Sequence, residues 1–94
     1  MDGILLEMKK FGRILNSRPA GQEAFMRAKQ LINGSQESTI VVDLSEVEVL
    51  TPSFADEFVT KLKNEYTNKS VTFKGTEDNL LIQETLKALH FALN

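Results

Sequence analysis

The sequence predicts an α/β fold: one mixed sheet of about four strands with three helices, in the order β-β-α-β-α-β-α. Three observations lead there. Thr39 to Leu44 reads Thr-Ile-Val-Val-Asp-Leu, a β-branched run without polar alternation, as expected of a central strand covered on both faces. Two stretches with apolar residues at three- and four-residue steps each begin beside a hydroxyl residue and a proline, at Ser17-Arg18-Pro19 and at Thr51-Pro52. Strands and helices then alternate, which implies parallel pairing through right-handed crossovers. The 94 residues suit one compact domain spanning 1–94, with no room for a second core.

Taken in order, Ile4 to Met8 is a short apolar strand, and Phe11 to Leu15 resumes the pattern after Lys9-Lys10. Gly12 can supply a bulge or tight turn, so this segment is expected as a hairpin, adding antiparallel pairing, or as one bent strand. Asn16 or Ser17 caps the first helix and Pro19 lies in its first turn. Ala24, Phe25, Ala28, Leu31 and Ile32 form its apolar face, up to a stop at Asn33-Gly34. Beyond the central strand, Val47, Val49 and Leu50 anchor a loop to the core. Thr51 caps the second helix, whose buried face is Phe54 or Ala55, Phe58, Val59 and Leu62, with Tyr66 near its end. Ser70 to Lys74 is the last strand, ended by Gly75. Thr76 is expected to cap a third helix with Glu77 and Asp78 in its first turn, where acids suit the dipole. Its stripe is Ile82, Leu86, Leu89 and Leu93.

Composition removes several classes of function. Cysteine is absent and histidine occurs once, at His90, which rules out thiol nucleophiles, disulfides, zinc fingers and sites needing two imidazoles. There is no phosphate loop, Gly-x-Gly-x-x-Gly or nucleophile elbow, so no enzyme, cofactor or metal is expected. A net charge of −2 disfavours nucleic acid as a partner. No apolar run approaches the roughly 18–20 residues that span a bilayer, and Met1-Asp2-Gly3 lacks the basic start of a signal peptide, so a cytoplasmic protein is expected. The charge is uneven. Glu37, Asp43, Glu46, Glu48, Asp56 and Glu57 occupy the stretch from Gln30 to Thr60 with no Lys or Arg, whereas Lys9, Lys10, Arg13, Arg18, Arg27 and Lys29 crowd the first 29 residues. This reads either as solvated faces that even out on folding or as a bipolar surface that steers a protein partner.

The most distinctive stretch is residues 41–58, Val-Val-Asp-Leu-Ser-Glu-Val-Glu-Val-Leu-Thr-Pro-Ser-Phe-Ala-Asp-Glu-Phe. A buried strand ends at Asp43, and a loop leads to the second helix. Thr51, Ser53 and the first-turn amides then gather at the strand's carboxyl end, where open α/β sheets bind ligands. A helix start also favours a phosphate, bound or covalent. This segment resembles the STAS superfamily, the fold of the anti-sigma factor antagonists. More closely, it is similar to the STAS-like family of unknown function whose helix begins with a Ser-Phe-Ala-Asp-Glu-type motif. Val42-Asp43-Leu44-Ser45 matches the Val-x-Asp-Leu-Ser strand end of typical STAS domains. Thr51-Pro52-Ser53-Phe54 then falls on their Asp-Ser-Ser-Gly, and Leu15-Asn16-Ser17-Arg18-Pro19-Ala20 resembles the Leu-Asp-x-x-Thr-Ala segment that opens the first helix. The resemblance implies that Ser53 stands at the regulatory phosphorylation site. Thr51, Pro52 and Phe54 depart from that pattern, and Phe54 is expected to crowd a kinase's access to Ser53.

Each candidate residue has a structural alternative. Ser53 is a phosphoacceptor or phosphate ligand, or a supplementary cap. Asp43 orients a ligand, or binds loop amides. Thr51 and Asn16 read as caps. Asp56 and Glu57 could join Asp43 around a hard cation, or simply complement the helix dipole. Arg18, on the same sheet edge as Ser53, binds a phosphate or pairs with Asp43. His90, between Leu89 and Phe91, reads as a packed side chain. The expectation is a non-catalytic regulatory module that binds a protein through Thr51, Ser53 and Asp56, with Arg18 nearby. By resemblance, the partner is a histidine-kinase-type ATPase acting as a serine kinase, or an anti-sigma-like protein. The alternative is a sensor of a nucleotide or other anion. A monomer or weak homodimer is expected, with no membrane attachment.

Overall fold

The computed structural model describes residues 3–89. Its strands are β1 (Ile4–Glu7), β2 (Ile14–Leu15), β3 (Thr39–Asp43), β4 (Val49–Leu50) and β5 (Ser70–Lys74). β1, β3 and β5 form a three-stranded sheet in the order β1-β3-β5, and β2 pairs with β4 in a separate ladder. All three strand pairings are parallel. The single four-stranded sheet and the antiparallel N-terminal hairpin are therefore corrected. Met8–Phe11 forms a 3-10 turn with Met8 buried, and Gly12 follows at φ +129, a conformation that side chains rarely adopt. The chain is displaced sideways rather than reversed, so β2 leaves the main sheet and meets β4.

β3 is central, as its composition predicts, but its burial alternates. Ile40 and Val42 are buried in register with Ile4 and Leu6 of β1, whereas the neighbouring row is Leu5, Val41 and Thr72, of which Leu5 is 47% exposed. Among the described residues only one face of β3 is fully covered. The expectation of cover on both faces, drawn from a run without polar alternation, holds for one side.

Helix α1 (Arg18–Asn33) starts where the sequence places it. Ser17 Oγ accepts from the Ala20 amide at 3.2 Å and Pro19 lies in the first turn. Ala24, Phe25, Ala28 and Ile32 are buried, but Leu31, assigned to the same face, is 59% exposed. The second helix, α2, covers residues 52–65 as three consecutive segments: Pro52–Ala55, a π-helical turn Asp56–Thr60, and Lys61–Glu65. Its core residues Phe54, Phe58, Leu62 and Tyr66 recur at strict steps of four. On a regular helix each such step drifts by about 40°, and the wider π turn absorbs part of that drift. All four are buried, with Phe54 and Phe58 stacked at 6.0 Å between ring centroids. The Tyr66 hydroxyl donates to Asn33 Oδ1 at 2.8 Å, tying the end of α2 to the end of α1.

Helix α3 (Leu80–Ala88) begins later than expected. Asn79, not Thr76, is its cap, accepting from the Ile82 amide at 3.1 Å. Thr76 is buried in the preceding turn, where its carbonyl accepts from the Asn79 amide at 3.1 Å and from Gln83 Nε2 at 2.7 Å. Asn79 also donates through Nδ2 to the Glu48 carbonyl at 3.0 Å, so one amide side chain both caps the helix and ties it to the loop before β4. Ile82 and Leu86 are buried as predicted and Leu89 packs against the core. His90, Phe91 and Leu93 lie outside the described residues.

Candidate functional site

The junction from β4 into α2 is built by Thr51. Its amide donates to the Leu15 carbonyl of β2 at 2.9 Å, and its Oγ1 accepts from the Phe54 amide at 3.3 Å. Capping is thus carried by Thr51, as predicted, which leaves the half-buried Ser53 hydroxyl without a structural role in the cap. Phe54 is 1% exposed, its ring turned into the core against Phe58. The expectation that it crowds Ser53 is corrected: where the STAS pattern has glycine, this chain directs a large side chain inward, away from the surface that carries the serine.

Arg18, Asp56 and Glu57 come together beside this junction. Arg18 Nη1 donates to Asp56 Oδ2 and Glu57 Oε2, both at 3.0 Å. Glu57 accepts in addition from Lys61 Nζ at 3.0 Å and Gln22 Nε2 at 3.3 Å, and its side chain is only 12% exposed. Lys61 and Arg18 hold the Glu57 carboxyl below its ordinary value against the opposing effect of desolvation, while Asp56 and Glu57 raise Arg18. The pairing of Arg18 with Asp43 is therefore corrected: the guanidinium is taken by two nearer carboxylates. Gly21 permits this meeting. A Cβ there would stand 2.9 Å from the Phe54 carbonyl oxygen and 2.9 Å from Glu57 Cβ, so α1 and α2 touch backbone to backbone.

Asp43 belongs to a different cluster. At the end of β3 its Oδ1 accepts from the Ser45 amide at 3.0 Å, the loop-binding role. Burial pushes its carboxyl up, but the Ser45 hydrogen bonds and the charges of Lys74 and Lys9 outweigh this and hold it below its ordinary value. Gly75, at φ +78, lies against Ser45, where a Cβ would approach the Ser45 amide nitrogen to 2.5 Å. Asp43 does not join Asp56 and Glu57, and among the described residues no group of three or more acidic, His or Cys side chains could hold a metal. Asn16 is exposed, and the cap falls to Ser17.

The uneven charge resolves partly by pairing. Lys9 meets Glu46 at 3.0 Å, Arg13 meets Glu48 at 3.1 Å, and Lys29 meets Glu65 at 3.6 Å, alongside the Arg18 pairs. Through Lys9, Arg13 and Arg18 the basic first 29 residues and the acidic stretch 30–60 are thus joined across the fold. The sequence places Glu57 with Asp56 and Asp43 and does not reveal the parts of Gln22, Lys61 and Ser45. The readable signal was the Glu57–Lys61 spacing of four on a helix, with the acid N-terminal to the base.

A small parallel α/β sandwich in which the central strand ends at Asp43-Leu44-Ser45, and a loop returns to a Thr-Pro-capped helix with a half-buried serine in its first turn, defines a STAS-like domain. The chain belongs to the family described as STAS-like domain of unknown function, whose model matches residues 24–81. That stretch holds Asp43, Thr51, Ser53 and Asp56; Asn16 and Arg18 precede it. No curated protein and no solved structure matches the chain. Among the described residues, no helix is long and apolar enough to cross a membrane.

Proposed function

We propose that this chain is a non-catalytic regulatory module that binds a partner protein at the start of α2, and that phosphorylation of Ser53 switches that contact. The observation that carries the reading is the division of labour at this helix start. Thr51 makes the cap and Phe54 fills the core, so Ser53 is left as a hydroxyl with neither task. Ser53 stands one helical turn before Asp56, in a cluster where two cations (Arg18 and Lys61) balance two carboxylates (Asp56 and Glu57). A phosphate would add about −1.5 to −2 charge to this neutral patch, competing with Asp56 for Arg18 and repelling an acidic partner surface. By its STAS-like family, a kinase or anti-sigma-like ATPase is the partner class that this surface suits.

Phosphopeptide mapping after incubation with candidate serine kinases from the native cell tests the switch. Phosphate is expected on Ser53 and is lost in Ser53→Ala. Equal modification of Ser53→Ala removes Ser53 from the account.

A further inference from the structure

A second surface lies on the other side of Thr51 and Pro52. Val49, Leu50, Pro52, Leu81 and Ala88 line an open apolar groove of about 380 Å³ between the β4–α2 junction and α3. Val49 is 40% exposed and Leu81 72% exposed, and Ile14, paired in register with Val49, is 58% exposed. Ile14 belongs to the separate groove beside Phe11, and the next pair of the ladder, Leu15 and Leu50, is buried. Across the ridge where Asn79 holds the Val47 and Glu48 carbonyls lies a polar depression of about 390 Å³, bordered by Ser45, Glu46, Gly75, Glu77 and Asp78.

The charged residues that line these two depressions are all acidic. Glu48 and Glu84 border the groove, Glu46, Glu77 and Asp78 border its neighbour, and no Lys or Arg lines either. Glu46 and Glu48 have Lys9 and Arg13 as partners, but Glu77, Asp78 and Glu84 make no ion pair among the described residues. The grooves on the Phe11 side of the molecule, by contrast, include Lys10 and Arg27. We propose that the Val49–Leu81 groove docks a basic amphipathic helix of a partner protein, its apolar side chains against Val49, Pro52 and Leu81 and its Lys or Arg side chains against Glu77, Asp78 and Glu84. Apolar anchors give such a contact its affinity, and the acidic border gives it sign selectivity and salt dependence. This surface does not include Ser53, so it stands or falls separately from the phosphorylation switch.

The test uses two fluorescent synthetic helical peptides of equal length and apolar pattern, one of Leu and Lys, the other of Leu and Glu, titrated with the whole chain by anisotropy. The Leu/Lys peptide is expected to bind, more weakly as salt is raised, and the Leu/Glu peptide is not. Leu81→Asp and Glu84→Lys, both at exposed helical positions, should keep the native circular dichroism and each weaken binding at least about tenfold, or about 1.4 kcal/mol. Ser53→Ala should bind as the parent does. Undiminished binding by Leu81→Asp, binding of both peptides alike, or loss of binding in Ser53→Ala would overturn the proposal. So would a parent molecular mass that rises with concentration and falls back in Leu81→Asp, which would give the groove to a second copy. Binding seen only after Phe91→Ser and Leu93→Ser would give it to residues 90–94 and overturn the proposal equally.

Discussion

Gly21→Ala reverses the sign that a free helix would give. In an isolated helix interior, alanine is favoured over glycine by about 1 kcal/mol. Here the new methyl meets the Phe54 carbonyl oxygen at 2.9 Å, Phe54 Cα at 3.3 Å and Glu57 Cβ at 2.9 Å, where ordinary contact begins at 3.4 Å. Two of these atoms are backbone, so no rotamer change relieves them, and α1 and α2 must move apart. Overpacking of this kind costs about 1–3 kcal/mol, with the propensity gain offsetting up to about 1 kcal/mol of it. With that offset in full, the net loss is up to about 2 kcal/mol, a Tm lower by up to roughly 16 °C for a chain of this size. The assay is thermal unfolding followed by circular dichroism, backed by the denaturant midpoint. A Tm above that of the parent, as a free helix would give, would refute the close approach of the two helices, and with it the packing that holds Arg18 against Asp56 and Glu57.

The other expectations follow from the same junction. Phe54→Ala should lower stability by about 3–5 kcal/mol, because its ring is almost wholly buried, whereas an exposed Phe54 would cost little; denaturant melts distinguish the two. Thr51→Ala should cost about 0.5–2 kcal/mol through the lost cap, with Thr51→Ser restoring most of it in the same melts. Asp43, Glu46 and Glu57 are held below their ordinary values of 3.8, 4.5 and 4.5. Their contribution is therefore complete above those values and lost as pH falls through the lower folded-state values. Denaturant midpoints should be level near neutrality and decline in acid, and Asp43→Asn should flatten part of that decline. Midpoints that rise on acidification would contradict these pairings.

The helices and the central strand were legible because they rest on local chemistry. Ser17-Arg18-Pro19 and Thr51-Pro52 combine a cap with a preset first turn, and those two starts were placed correctly. The Thr39–Asp43 run was long enough to define β3 and its central position. Strand partners were not legible in the same way. Ile14-Leu15 and Val49-Leu50 are two-residue strands whose pairing depends on a crossover through α1 and β3, and nothing local to either sequence specifies it. The cap of α3 was misplaced because Thr76 and Asn79 both precede the apolar stripe. The choice was decided by tertiary bonds from Asn79 to the loop before β4.

For the site, the segment 41–58 marked the right helix start, but the partners of its side chains were out of reach. Arg18 and Glu57 are 39 positions apart, and their bond exists because Gly21 lets two helices meet. Gly21 had no role in a reading confined to propensity, where a glycine at a helix start is only a weak residue. The π turn likewise hid in plain view, since Phe54, Phe58, Leu62 and Tyr66 at steps of four read as an ordinary apolar face.

The central claim is that the start of α2 is a partner-binding surface whose charge sets affinity. Isotope-quantified affinity capture from the native cell, comparing the parent with Ser53→Asp and Arg18→Glu, tests it most directly. Both changes make the neutral Arg18–Asp56–Glu57–Lys61 patch more negative while leaving the buried residues of α2 in place. The account predicts a protein retained by the parent and depleted by both variants. Identical capture by all three would contradict it.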